Sequence, residues 1–256
     1  IHYGLTREKD GYYEDFQSVR YIAQAFSDPF VYNGRFSEHR QRFHGSDTEG
    51  TTPSDFVVCI QNHDQVGNRM LGERISELAS DQRCLMAACF YILSPYTPMI
   101  FMGEEYGERN PFLFFVSHSD DWLIEAVRKG RRKEFRSFSW KGEPPDPQDR
   151  DTFTGSMLND PDDRRSRKFR ELYREVIDIR RRKIIPLLHK KAEFSAEVFE
   201  DECIRTQINT AEGCLFSYSN WGSDDVEVQI KESVVFSTGE HSLSVLSPGA
   251  YILTED

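Results

Sequence analysis

Residues 61–65 set an imidazole, a carboxylate and three amides side by side: Gln61, Asn62, His63, Asp64 and Gln65. An Asp next to a His can act as a base, a metal ligand or an electrostatic stabiliser. Amides and an imidazole also exchange hydrogen bonds with sugar hydroxyls. Glycoside hydrolysis passes through an oxocarbenium-like transition state, which favours carboxylates around the sugar ring. A solvated turn would use the same residue types. The setting favours chemistry. An apolar run (Phe56, Val57, Val58, Cys59, Ile60) precedes the cluster and Gly67-Asn68-Arg69 follows it. Such a run reads as a strand buried on both faces. In barrels of parallel strands, the C-terminal strand ends form the active site.

Other clusters carry less. Glu104 and Glu105 follow a second apolar run, but adjacent side chains diverge and rarely converge on one atom. A structural role, such as accepting from a buried Arg, is the stronger reading. The aromatic loop 110–115, with Trp122, is either a stacking surface for a sugar or local core beneath a long loop. His118-Ser119-Asp120-Asp121 reads as a helix N-cap rather than a metal cluster. The run Arg128-Lys129-Gly130-Arg131-Arg132-Lys133 and the Arg-rich stretch 164–183 alternate with acids and read as solvated helix faces. No metal or organic cofactor is expected, and the sequence has no Walker, G-x-G-x-x-G, H-E-x-x-H or G-x-S-x-G motif.

The elements that must position these residues follow from periodicity. Strands are expected over 55–60 and 98–102, with short helices near 17–26 and 71–78. A helix capped by Ser80 or Asp81 should run to about Leu93. Strand, helix and strand then form a right-handed parallel βαβ unit. The rest of 1–54 reads as loop, with one possible strand at Ile1–Leu5. Amphipathic helices are expected near 120–135 and over 161–182, the latter with a stripe of Phe169, Leu172, Tyr173, Val176, Ile177 and Ile179. From about Ala192 the period changes to two, which predicts a small antiparallel β-domain. The expected domains are 1–188 and 189–256.

Composition narrows the partners. The formal net charge is −11, so neither nucleic acid nor an anionic membrane is an expected partner. Residues 84–103 are uncharged, but Ser94-Pro95-Tyr96-Thr97-Pro98 interrupts them, so no membrane span is expected. The five cysteines form no C-x-x-C pair and suit reduced thiols in a cytoplasmic protein. No signal peptide is expected.

The stretch Phe56 to Asp64 resembles the fourth motif region of the α-amylase superfamily (glycoside hydrolase family 13), whose hallmark is Asn-His-Asp after a buried barrel strand. A trehalose-releasing branch of that superfamily is resembled further by Gln61–Arg69, Leu93–Pro98, Phe101–Gly107 and Pro145-Asp146-Pro147-Gln148-Asp149 with Thr152-Phe153. Leu5-Thr6, Gly11-Tyr12-Tyr13 and Phe30–Gly34 add to it, and Leu172-Tyr173-Arg174 with Ile179-Arg180-Arg181 resembles the last barrel helix. The likeness covers about residues 1–185. Ser156-Met157-Leu158-Asn159-Asp160 departs from it where Lys and Trp are expected.

The resemblance implies an α/β fold: the C-terminal part of a (β/α)8 barrel, about its last two strands and their helices, followed by the β-domain. It also implies a retaining glycosidase that cuts the α-1,4 bond next to the trehalose end of a maltooligosyl trehalose. Asp64 would stabilise the transition state and His63 would bind hydroxyls of the −1 sugar. Gln65, Val66, Gly67 and Asn68 would line the substrate cleft. The nucleophilic Asp and the acid/base Glu of the family have no counterpart here. The chain is therefore expected to be a fragment that works with an N-terminal remainder of the same protein. The rival readings are another α-glucan enzyme, of branching or debranching type, and a non-catalytic fragment that only helps to bind carbohydrate.

Overall fold

The computed structural model describes residues 1–135, 142–239 and 244–256. In chain order, helices α1 (His2–Thr6) and α2 (Arg20–Ser27) lead to a hairpin of β1 (Asn33–Ser37) and β2 (Arg42–Gly45). Strand β3 (Val57–Val58) is followed by α3 (His63–Gly67), α4 (Ile75–Leu78), α5 (Asp81–Ile92) and β4 (Thr97–Pro98). Then come α6 (Asp121–Glu134), α7 (Arg150–Thr154) and α8 (Arg164–Ile179), which runs through a π-helical turn (Arg180–Ile184) into α9 (Ile185–Leu188). The chain ends in β5 (Glu193–Phe199), β6 (Cys203–Thr210), β7 (Gly213–Asn220), β8 (Val226–Glu227), β9 (Ser233–Ser237), β10 (Val245–Leu246) and β11 (Tyr251–Glu255).

These residues form two compact units. One comprises Ile1–Ile60, Ala79–Met99 and Arg170–Asp256; the other comprises Gln61–Leu78 and Ile100–Phe169. In the first, a five-stranded sheet has the order β5-β6-β7-β11-β9, and every neighbouring pair is antiparallel. Helix α2 packs against β5, and α5 against β11. Helix α5 is buried all round from Cys84 to Ile92, so it reads as uniformly apolar rather than striped. Trp221 is fully buried, edge-on to Phe90 at 5.4 Å, with its indole N–H on Ser219 Oγ at 2.9 Å. A Cβ on Gly4 would lie 2.8 Å from the Trp221 ring, so α1 approaches the indole through the missing side chain. Among the described residues no helix is long and apolar enough to cross a membrane.

The parallel pairing expected from the strand–helix–strand pattern is present, with Val57 opposite Thr97 and Val58 opposite Pro98. Both strands are shorter than expected, and β3 is not buried on both faces: Val57 is exposed and Val58 half-buried. Alternate residues of β4 donate to β3, Thr97 N–H to Phe56 O at 3.0 Å and Met99 N–H to Val58 O at 2.8 Å, so Pro98 falls where no N–H is needed on this side.

Two expectations fail in the first 54 residues. Ile1–Leu5 is not a strand: His2–Thr6 is helical. The region read as loop holds the β1–β2 hairpin, which lacks a buried face and so gives no period-two signal. It is fixed instead by Asp15. That buried carboxylate accepts from Tyr32 Oη at 2.6 Å, Ser37 Oγ at 2.5 Å and the backbone N–H groups of Glu38 at 2.9 Å and His39 at 3.2 Å. Burial opposes its ionisation, but these donors outweigh burial and hold its pKa below the usual 3.8.

Beyond its last turn, α8 delivers Arg180 to the interior. Its guanidinium donates to the carbonyls of Ile92 at 2.7 Å, Ser94 at 2.5 Å and Tyr96 at 2.6 Å. Burial pushes its pKa down to about 10. These carbonyls lie where α5 ends, where the helix itself supplies no donors.

Two outcomes follow. Replacing Arg180 by Met should cost on the order of 3 kcal/mol in urea unfolding, because three buried acceptors lose their donor. Asp15→Asn should cost about 2 kcal/mol at pH 7, because an amide cannot accept all four donors. The depressed native pKa of Asp15 makes its contribution complete above the unfolded pKa of 3.8, and it is lost as pH falls through the lower native value. The stability gap between wild type and Asp15→Asn should therefore narrow below about pH 4, as measured by urea titrations across pH.

Candidate active site

The polar cluster is not a loose strand end. Asn62 is extended and caps α3, its Oδ1 accepting from Gln65 N–H at 3.0 Å. His63 and Asp64 open the helix, where an acidic residue suits the positive end of the dipole. Their side chains are 71% and 75% exposed, and His63 Nε2 lies 3.6 Å from Asp64 Oδ1. Gln65 is also exposed. Val66 and Gly67 are buried beneath the turn, and Asn68 is half-buried at its C-terminal cap.

The amides therefore do separate work. Gln61 is turned inward, its amide N–H on Glu104 Oε2 at 3.2 Å and its oxygen accepting from Ile75 N–H at 3.1 Å. Asn62 serves the helix start, and Asn68 accepts from Arg131 at 3.1 Å. What the turn presents outward is His63, Asp64 and Gln65.

The structural reading of Glu104 holds: it is buried and bonded to Gln61. The nearby buried guanidinium of Arg74 donates to Asn110 O at 2.7 Å and Met102 O at 2.8 Å, and lies over the Phe101 ring at 4.9 Å. Glu108 accepts from the backbone N–H groups of Arg109 at 2.8 Å, Asn110 at 2.9 Å and Asn159 at 2.7 Å. Burial opposes its charge, yet these donors hold its pKa below the ordinary range. Phe112 N–H bonds Gly72 O at 2.9 Å. Gly72 has φ of +61°, and a Cβ there would meet Phe112 O at 2.7 Å, so glycine is required for this approach.

The aromatic loop is partly core. Phe112 lies edge-on to Phe101 at 5.4 Å and to Phe115 at 6.1 Å, while Phe115 meets Phe153 at 5.1 Å. Trp122 is 78% exposed. Asp120 caps α6, its Oδ1 accepting from Leu123 N–H at 3.1 Å, as expected. The Pro145–Asp149 motif is a staple: Asp146 takes Arg128 through Nε at 3.0 Å and Nη2 at 2.7 Å, and Gln148 exchanges hydrogen bonds with the backbone of His118 at 2.8 and 3.1 Å. Among the described residues no group of three or more His, Cys, Asp or Glu side chains could hold a metal.

One reading of the basic run needs correction. Arg132 is exposed, but Arg131 is buried and Arg128 is bound to Asp146. Arg131 donates to Gly67 O at 2.7 Å as well as to Asn68. Helical spacing carried the signal: Ile124, Val127 and Arg131 fall on one stripe of α6, continued by Phe135 at its C-cap.

No protein-family model matches the chain. It is similar to malto-oligosyltrehalose trehalohydrolases. Identity to that of Saccharolobus solfataricus is 49% over 62% of this chain and 27% of the relative. Identity to that of Brevibacterium helvolum is 43% over 62% of this chain and 28% of the relative. A crystal structure from Salmonella typhimurium designated an alpha amylase superposes with a TM-score of 0.90 at 33% identity, over 99% of this chain and 44% of that one. Sequence and fold together relate the chain to the α-amylase type of glycoside hydrolase. At the finer level the likeness is to the malto-oligosyltrehalose trehalohydrolases, and the match spans just over a quarter of the length of these two relatives.

Asn62→Ala should lower stability by about 1 kcal/mol through loss of the cap. The check is urea unfolding together with amide exchange, which should rise at Gln65 first.

Proposed function

We propose that this chain supplies one carboxylate of a retaining glycosidase that cuts the α-1,4 bond next to the trehalose end of a maltooligosyl trehalose. Asp64 stabilises the oxocarbenium-like transition state through its negative charge. His63 binds hydroxyls of the sugar at the cleaved bond, and Gln65 contacts the neighbouring sugar. Val66, Gly67 and Asn68 shape the cleft from below. The observation that carries this reading is the turn itself. A five-residue helix, capped at both ends, holds an exposed Asp and His, in a chain that over 159 of its residues is 49% identical to a trehalohydrolase.

Retaining hydrolysis needs a nucleophile and an acid/base about 5 Å apart. In this proposal both lie on chain beyond these residues, on earlier strands of a (β/α)8 barrel. Residues 1–188 complete that barrel, and 189–256 form the C-terminal β-domain. A cytoplasmic setting suits five cysteines that are all thiols. The chain by itself is then a binding and structural part rather than a complete catalyst.

The test uses an enzyme of the relatives' full length that carries this segment. Trehalose should be released from maltooligosyl trehalose, and Asp64→Asn should lower kcat by 10²-fold or more, roughly the scale of losing one transition-state charge contact. Unfolding curves of the two proteins should coincide. Branched glucan as the product would replace this reading with a branching activity. Hydrolysis by the 256-residue chain at the full-length rate would refute the assignment of the other carboxylates to chain elsewhere.

A further inference from the structure

The α3 turn is too short to hold itself. Five residues form barely more than one helical turn, and isolated helices of that length do not persist in water. Its N-terminal end is closed by Asn62. Its C-terminal end is closed from another element. Arg131, on the inward face of α6 and 8% exposed, donates through Nη2 to the Gly67 carbonyl at 2.7 Å and through Nη1 to Asn68 Oδ1 at 3.1 Å. Gly67 is the last residue of α3 and Asn68 its C-cap. The guanidinium is itself fixed. Nη1 also donates to Glu134 Oε2 at 2.8 Å, and the plane lies against the Phe114 and Phe135 rings at 4.5 and 4.6 Å.

We propose that Arg131 is a positioning residue for the reaction, clamping the C-terminal end of α3 so that Asp64 and His63 keep one direction. The kinetic half of this proposal rests on the role given to Asp64 above; the clamp does not. Arg131 takes no part itself in the chemistry proposed for Asp64. It acts through Gly67 and Asn68, and it ties the aromatic loop and α6 to the same turn. The planar fork is essential, because its two amino groups must reach a carbonyl and an amide oxygen at once. A lysine offers one compact ammonium and cannot span both while lying between two rings.

The experiment uses Arg131→Lys, which keeps the charge, with Arg132→Met as the exposed neighbouring control. First, amide hydrogen exchange is followed in the 256-residue chain. Amides of residues 63–69 should exchange at least about tenfold faster in Arg131→Lys and at the wild-type rate in Arg132→Met. Second, steady-state kinetics are measured in the full-length enzyme. Arg131→Lys should lower kcat by up to about 10²-fold, the scale of a misplacement near 1 Å, with KM changed by less than about threefold. A loss of general stability would instead speed exchange throughout the unit. Wild-type exchange in Arg131→Lys overturns the clamp. Wild-type kcat overturns the positioning role even where exchange rises. If Asp64→Asn keeps normal turnover, the proposed reaction fails, and the exchange result alone decides the clamp.

Discussion

A backbone carbonyl buried where a short element ends must find a donor, and in this chain arginine supplies it repeatedly. Leaving such a group unpaired costs about 1–3 kcal/mol. Arg180 answers three carbonyls where α5 ends. Arg83 answers Gly4, Trp221 and Gly222. Within the other unit, Arg74 answers Met102 and Asn110, Arg165 answers Gly107, and Arg131 answers Gly67. The long connections of this protein carry few ladder hydrogen bonds of their own. The guanidinium fork suits them because it offers several donors in fixed directions and lies flat on aromatic rings.

The same constraint explains how a mobile-looking sequence can hold a site. The segment around Asp64 lacks both length and apolar periodicity, so nothing local fixes it. Its rigidity is borrowed. Gln61 is locked to Glu104 and to the backbone of Ile75, Asn62 caps the turn, and Arg131 closes it. Every polar group in the cluster that is turned inward serves structure, which leaves His63, Asp64 and Gln65 facing solvent. The transition-state charge contact proposed for Asp64 needs this division, because its value depends on being held in place before the substrate arrives. The likeness to malto-oligosyltrehalose trehalohydrolases supports the chemistry proposed for the turn; the hydrogen bonds give the turn its mechanical setting.

Local signals that depend on a single element were legible in the sequence. Helix α5 and its Ser80 cap, the stripe of α8, the Asp120 cap and the antiparallel C-terminal strands all follow from periodicity and capping chemistry. The Asn62–Asp64 cluster could be read only as candidate chemistry, because a solvated turn uses the same residue types and the apolar run before it was what favoured a site. The β1–β2 hairpin was not, since its strands have no buried face and are held by Asp15 from a different part of the chain. The shortness of β3 and β4 was hidden for a related reason: strand length is set by the available partner, not by the apolar run.

By itself the sequence determined the types of the strongly periodic elements, the likeness to the α-amylase superfamily and the residue that carries the proposed chemistry. Only the tertiary structure decided which polar side chains work and which support. Arg131 and Arg132 are neighbours of the same type, and composition treats them alike. One helical step of about 100° turns the first into the interior beside Gly67 and leaves the second in water. Partners far apart in the chain are chosen by packing, and no local pattern encodes that choice.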